Sequence, residues 1–375
     1  MSPNQNHQNT TVAYPPNHQN PHTATNEDNE SFLLAMQVVN TLTFPMVMQA
    51  IIELDVLEII AREGQGAQLS PSQIASHLPT KNPEAPMMLD RMMRLLACHN
   101  MLTCSVVTLK SGKAERMYGL TPLCKFFIKD GNGISLAPFI KWMHHKDLMQ
   151  SWYHLKDAVL EGGVPFDMAY GMDVFQYFGE KAELHELFNR MQFIHTTTVT
   201  NKILETYKGF HGLKEVVDVG GGLGVMIDGI TTKYPTIQGI NFDLPQVIEH
   251  APRYQGVEHI GGDMFISIPK GETIFMKFVL HDWNDEQCLI LLKNCYKALP
   301  NHGKVIVVEI IAPVIPKDDA SSRVSCQEDI IMMAQAPGGK ERTEKEFEAL
   351  ALGAGFVGVK LVCSACYYWV MEFHK

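Results

Sequence analysis

A chain of 375 residues, 46% of them hydrophobic, is long enough for two domains and apolar enough to pack a sizeable core. Its formal net charge is −10 and no lysine or arginine cluster stands out, which excludes electrostatic capture of nucleic acid or an anionic membrane and favours a small-molecule partner. Eight cysteines without a framework read as free thiols of a reducing compartment, and Cys363 and Cys366 would point to opposite faces of a predicted strand.

Residues 1–30 are mostly Asn, Gln, His, Pro and Thr, cannot offset their ordering entropy, and predict a disordered tail. His7, His18 and His22 belong to that polar tail rather than to a metal site. No apolar stretch follows a basic start and no run approaches the ~20 residues that span a bilayer, so a cytoplasmic protein is expected. From Phe32 to Glu63 apolar residues recur at helical spacing, interrupted at Pro45, on too many faces for a solvated helix. A partner surface is expected to cover them. Ser70-Pro71-Ser72-Gln73 is a capping box opening a helix to Leu78. A second helix runs from about Pro83 to Cys98, followed by strands at Leu102 to Thr108 and Met117 to Leu120 that form a hairpin. This is a winged-helix pattern. Its second helix sets Arg91 and Arg94 against Glu84 and Asp90, too little charge for phosphate contacts, so dimerisation or lid duty is expected instead of DNA binding. Residues 130–205 read as further helix, rich in methionine and aromatic residues that fill a core or line a pocket for a flat ligand.

From Glu215 strands and helices alternate. Strands are predicted at Glu215 to Val219, Gly239 to Phe242, around Ile260, Thr273 to Leu280 and Val305 to Ile310, with helices from Gly224, near Val247, from Asp285 and from Thr343, and a closing pair through Val357 to Glu372. The alternation predicts an α/β fold with a doubly wound parallel sheet, whose ligands lie at the carboxyl ends of the strands. Val216-Val217-Asp218-Val219 is a buried strand, and Gly220-Gly221-Gly222-Leu223-Gly224 lets backbone approach a ligand where a Cβ would intrude. The spacing is G-x-G-x-G, with Val225 where the dinucleotide fingerprint has its third glycine, so a pyrophosphate is disfavoured. Asp243 ends the next strand, placed to accept both hydroxyls of a ribose. An adenosine-bearing ligand fits, and a tight turn with a surface acid is the bland alternative.

His281 follows the strand Ile274 to Leu280 and faces the same edge. With an ordinary pKa near 6.5 it is suited to take a proton from a weak acid, although a histidine that merely packs in the loop has the same sequence signature. Glu309 ends the next strand and Glu341 precedes the helix capped by Thr343 and Glu346. A carboxylate bonded to one imidazole nitrogen fixes the tautomer and strengthens the base. Asp263 in Gly262-Asp263-Met264-Phe265 is placed to bind an adenine amino group while Met264 packs on the base.

Taken together, Asp218 to Gly224, Gly239 to Pro245, Gly256-Val257-Glu258-His259, Gly262 to Phe265, His281-Asp282-Trp283, Pro337 to Thr343 and Ser151 to Asp157 resemble the plant S-adenosylmethionine-dependent O-methyltransferases of the caffeic acid type. The resemblance implies a homodimer, no metal, a mainly helical winged-helix-like dimerisation domain over 31–145 and a Rossmann-like catalytic domain over 146–375. By motif it assigns Gly220, Asp243, Leu244, Asp263, Met264, Phe265 and Lys277 to S-adenosylmethionine, His281 to the base, and Glu309 and Glu341 to its flanks. For the phenolic acceptor it implies Trp142, Met143, Phe178, Phe188, Gln192, His195, Ile331, Met332 and Ala336. The lignin-type pattern has Met-Asn at Trp142-Met143, His at Phe178, Met at Gln192 and Asn at Ala336, so two amide handles are gone. Glu328 falls where an apolar wall residue is common. The acceptor is therefore expected among coumarins, flavonoids, phenylpropenes or related specialised metabolites, or, if Glu328 faces the pocket, an amine such as an alkaloid phenol, since a desolvated carboxylate favours a cation; a catalytically silent cofactor-binding partner or regulator is the rival.

Overall fold

The computed structural model describes residues 26–375; the tail histidines lie outside that range. The first part holds α1 (Asn26–Val39), α2 (Thr43–Glu53), α3 (Val56–Arg62), β1 (Gln68–Leu69), α4 (Pro71–Ser76), α5 (Ala85–Cys98), β2 (Leu102–Thr108) and β3 (Ala114–Leu120). Two expectations are corrected. Residues 26–30, read as tail, form the first turn of α1, with Glu27 and Asp28 favourably placed at its positive end. The chain breaks before α2, not at Pro45, which sits in that helix's first turn where its missing N–H has no partner to lose. Ser70 caps α4 as predicted: its hydroxyl accepts from Gln73 N while the Gln73 side chain accepts from Ser70 N. Strand order β1-β3-β2 sets the hairpin beside α3 to α5 around Ile51, Ile60, Leu96, Leu102 and Tyr118. Helix α1 contributes no buried residue, and Phe32, Leu33, Val38 and Val39 stand mostly exposed. No single described helix is long and apolar enough to cross a membrane; α1 and α2, bent by 48°, pass together on length and composition only.

Helices α6 (Ala137–Met143), α7 (Lys146–Ser151), α8 (Leu155–Glu161), α9 (Pro165–Tyr170), α10 (Val174–Glu180) and α11 (Ala182–Thr206) follow. Then come β4 (Glu215–Val219), α12 (Val225–Lys233), β5 (Gln238–Asp243), α13 (Pro245–Ile248), β6 (Val257–Gly261), β7 (Thr273–Lys277), α14 (Asp285–Ala298), β8 (Lys304–Glu309), α15 (Ala320–Gln335), α16 (Glu344–Ala354), β9 (Val359–Ala365) and β10 (Tyr368–His374). The sheet runs β6-β5-β4-β7-β8-β10-β9. Its first five strands are parallel, as predicted, but β10 pairs antiparallel to both β8 and β9, so the sheet is mixed. A closing hairpin allows this because two antiparallel strands need only a tight turn, here through Cys366 in the left-handed region.

One core cluster, including Leu291, Leu292, Phe347 and Leu350, packs α14 and α16 on one face of the sheet. The other, including Ile203, Phe210, Ile227 and Ile230, packs α11 and α12 on the opposite face. Strand β7 ends at Lys277, three residues earlier than expected, and α15 was absent from the sequence prediction. Both differences shape the site.

Candidate active site

The floor is built at the carboxyl ends of β4 and β5. Gly220, Gly222 and Gly224 have φ of +68°, +57° and +83°, the left-handed region that a side chain disfavours. A Cβ on Gly220 would lie 2.8 Å from Val279 Cγ2. Gly220 N donates to Phe242 O, tying the loop to β5, while Gly222 N and Leu244 N donate to the two Asp243 carboxylate oxygens at 2.8 and 2.7 Å. Each oxygen keeps a lone pair for a further donor. Asp263 accepts from Phe265 N at 2.8 Å, and Met264 and Phe265 pack against the core beside Trp283. Beneath the loop, Asp218 is 2% exposed and its Oδ2 has no hydrogen-bond partner. Burial pushes its carboxyl up to about 7 against the pull of Lys277. Lys277 is brought down to about 8 by its own burial; its ammonium has one long bond, 3.3 Å to Thr196 Oγ1, and lies 4.0 Å over the Phe278 ring. Backbone donors, free carboxylate lone pairs, an orphaned acid and an under-used ammonium would together satisfy a ligand with hydroxyls, an amine and a carboxylate.

The rim follows β7. Phe278 has φ +56°, costly for an aromatic residue, and there the chain leaves the sheet into a single tight turn over Leu280 to Asp282. His281 thus stands on a turn rather than at a strand tip. Glu309 Oε1 accepts from Val279 N and Leu280 N at 3.0 and 2.8 Å, and the fully buried Arg342 donates to Leu280 O and Trp283 O at 2.6 and 2.7 Å while pairing with Asp285. Lys340 N donates to His281 O at 2.9 Å. So clamped, His281 directs Nδ1 to Glu341 Oε1 at 2.9 Å, with Glu309 Oε2 at 4.0 Å and Asp282 Oδ1 3.5 Å from Nε2. Burial alone would depress the imidazole's proton affinity, but Asp282, Glu309 and Glu341 outweigh it and lift the pKa to about 10. His281 therefore rests protonated, well above the ordinary value expected from sequence. Burial also raises Glu309 to about 7. One ligand-capable atom each of His281, Glu309 and Glu341 lies within 4.8 Å of the others, a spacing that would also admit a cation.

The wall is aromatic. Trp142 meets Phe178 edge-on at 4.6 Å and Phe188 at 5.1 Å, and Phe178 and Phe188 are 5.5 Å apart. Trp142 and Phe178 are each only 3% exposed because Phe166 and Tyr177 pack behind them. Met143 is half-buried in the same cluster. His195, one helical turn from Gln192 on α11, stacks on Phe278 and bonds Tyr368 Oη at 2.6 Å; burial holds it down to about 3, so it stays neutral. Gln192 is exposed. Ile331 and Met332 are half-buried on α15, and Ala336 caps that helix beside Gly339.

Residues 152–357 match the O-methyltransferase domain family and residues 36–130 the O-methyltransferase dimerisation domain family. Caffeic acid 3-O-methyltransferase of Prunus dulcis is 58% identical over 348 residues, 93% of this chain and 95% of its own. The Capsicum annuum protein of that name is 55% identical over 351 residues, 94% and 98% of the two chains. The chain belongs to the plant O-methyltransferase family. Among solved structures, CalO1, a methyltransferase of calicheamicin biosynthesis in its SAH-bound form, superposes with a TM-score of 0.78 at 20% identity, over 92% of this chain and 98% of its own. Human N-acetylserotonin methyltransferase in complex with SAM gives 0.75 at 20% identity, over 94% and 99%. Both share the class I methyltransferase fold.

Within this O-methyltransferase, Asp218, Phe278, Arg342 and Tyr368 were not singled out from sequence. Asp218 had a readable signal, an acid inside a β-branched strand, where a charge survives only with a purpose. Arg342 had none, since its burial depends on two loops meeting.

Proposed function

We propose that this O-methyltransferase moves a methyl group from S-adenosylmethionine to a phenolic hydroxyl of a plant aromatic metabolite, with His281 as the general base. The observation that carries the reading is the 2.9 Å bond from His281 Nδ1 to Glu341, which leaves Nε2, 3.5 Å from Asp282 Oδ1, as the nitrogen to serve an acceptor once it has lost its own proton. A phenol of pKa ~10 is a weak nucleophile until its proton is taken. Nε2 takes that proton, Glu341 orients the ring and steadies the positive charge, and Glu309 fixes the turn by its two backbone bonds. The donor, when bound, supplies an electrophilic methyl on a cationic sulfonium, and that positive charge nearby favours the neutral imidazole the step requires.

For the cofactor the fit is good. Asp243 would take the ribose hydroxyls, with Gly220 and Leu244 bordering it; Asp218 and Lys277 would answer an amine and a carboxylate; Asp263, Met264 and Phe265 would hold the base. Trp142, Met143, Phe178, Phe188, His195, Ile331, Met332 and Ala336 would enclose a flat ring at attack distance, and Gln192 would stand at the entrance. No metal has a role in this reading. The exposed apolar face of α1 suits the dimer interface, the domain division falls near residue 145, and the protein works in the cytoplasm.

The test is His281→Gln. Turnover of a phenol panel, read by mass spectrometry, drops at least about a thousandfold while S-adenosylmethionine affinity by calorimetry stays within about threefold. Methylation at the parental rate removes the base assignment, and an inactive parent across the whole panel favours a silent binding partner.

A further inference from the structure

Among the described residues, Glu328 is the acid of the catalytic rim with nothing to hold. It lies on α15, three and four residues before Ile331 and Met332 and so on their face of the helix, and α15 packs on α9, which carries Phe166 and Tyr170 of the aromatic wall. The side chain is half-buried, yet it makes no hydrogen bond or ion pair among the described residues. Its neighbour Asp329 accepts from Glu341 N at 2.9 Å through Oδ1, which fixes this stretch of α15 against the catalytic loop. The Glu328 charge is felt by His281, Glu341, Tyr367 and Tyr368, groups of three other segments that converge on the same cleft.

The local field has one sign. Glu309 and Glu341 are 0% and 4% exposed, and each has a carboxylate oxygen without a hydrogen-bond partner among the described residues, Oε2 in both. The cation among them, His281, is already bonded to Glu341. His195 is held neutral by burial, and Lys277 sits on the cofactor side over Phe278. A half-buried carboxylate facing such surroundings is costly unless something positive completes it, and burial first, then repulsion from Glu341, lifts Glu328 to about 7. Among the described residues only the His281 imidazolium, already bonded to Glu341, pulls the other way, and no lysine or arginine pairs with Glu328.

We infer that Glu328 selects the acceptor by the charge of its tail: the pocket takes a phenol bearing a protonated amine and rejects one bearing a carboxylate. A carboxylate tail would instead meet the unpaired Glu328, with no arginine or lysine beside that residue to receive it. This rests on the reading of His281 as the centre of an acceptor pocket, and the experiment separates the two.

Three catechols with one skeleton serve as probes: dopamine, hydroxytyrosol and homoprotocatechuic acid, with amine, alcohol and acid tails. The readout is the ratio of kcat/KM for dopamine to that for homoprotocatechuic acid at pH 8, in the parent, Glu328→Gln and Glu328→Leu. The parent ratio is expected above about 100, since one charge inverted across a partly buried pocket moves each substrate about tenfold in opposite directions. Either substitution lowers it by about tenfold or more. A parental ratio at or below about one, or a ratio that moves less than about threefold in both variants, overturns the inference. Hydroxytyrosol keeps the two readings apart. If the parent methylates the alcohol while the ratio does not depend on residue 328, the charge selection alone is wrong. If no catechol is methylated by any variant, the fault lies with the methyl-transfer reading, and dopamine binding to the S-adenosylhomocysteine-loaded parent and Glu328→Gln, by calorimetry, still decides the inference: equal affinity refutes it and a tenfold loss upholds it.

Discussion

The floor of the cleft and its wall are made by different means. At the floor, Gly220, Gly222 and Gly224 adopt backbone angles open to few residues, and Asp243 is gripped by two backbone donors, so main-chain geometry does the positioning. At the wall, Trp142, Phe178, Glu328 and Tyr368 are ordinary helix and strand residues whose side chains alone define the space. Changes at the floor or at the turn of His281 should therefore damage catalysis for every acceptor alike, whereas changes at the wall should redistribute activity among acceptors.

The sharpest way to break that contrast is Arg342→Met, which keeps the bulk but strips Leu280 O and Trp283 O of their short charged donors, leaving only longer bonds from Trp283 N and Cys288 Sγ. A stability loss of about 3 kcal/mol is expected by denaturant titration, with kcat down about a hundredfold and the acceptor order unchanged. An altered acceptor order would mean that the turn also shapes the wall. Next comes Gly220→Ala, which forces a Cβ against Val279 in a left-handed residue. S-adenosylmethionine affinity measured by calorimetry should fall by about tenfold or more for reasons unrelated to the phenol. A smaller effect follows from the raised His281 pKa. Because the base must be neutral, kcat/KM climbs with pH and levels off only above the alkaline value set by its carboxylates. Glu341→Gln removes one of those charges, so the rising limb should move to lower pH even as the maximal rate drops; a limb that stays in place would detach it from His281. Smallest is Phe178→His, for which KM should shift by about threefold to tenfold for some phenols and not others, in steady-state assays across the panel. A uniform change would make Phe178 a core residue and nothing more.

What could be read in advance divides along the same line. The glycine loop, the acid that ends β5, the histidine after β7 and the capping boxes at Ser70 and Thr343 are all visible, because each is a residue type that backbone geometry demands at a given offset. Helix α15 was missed because its apolar residues bunch at Ile330 to Ala334 instead of recurring, one flank being turned to the cleft. The strength of the carboxylate cluster was missed as well: Glu309 and Glu341 are 32 residues apart and only the fold sums their charges on one ring. For the break in the first helices, a proline drew the eye to Pro45, although proline in a first turn is a start signal.

Phe278 has a consequence for anyone hardening this enzyme against heat. Its left-handed backbone is a local debt of about 1 to 2 kcal/mol. Glycine would relieve that strain but would also delete the ring packed on His195, His281 and Tyr368 and under the Lys277 ammonium, a loss of about 3 to 5 kcal/mol that outweighs the relief. A screen for thermal endurance should therefore keep the aromatic residue and its strained turn together.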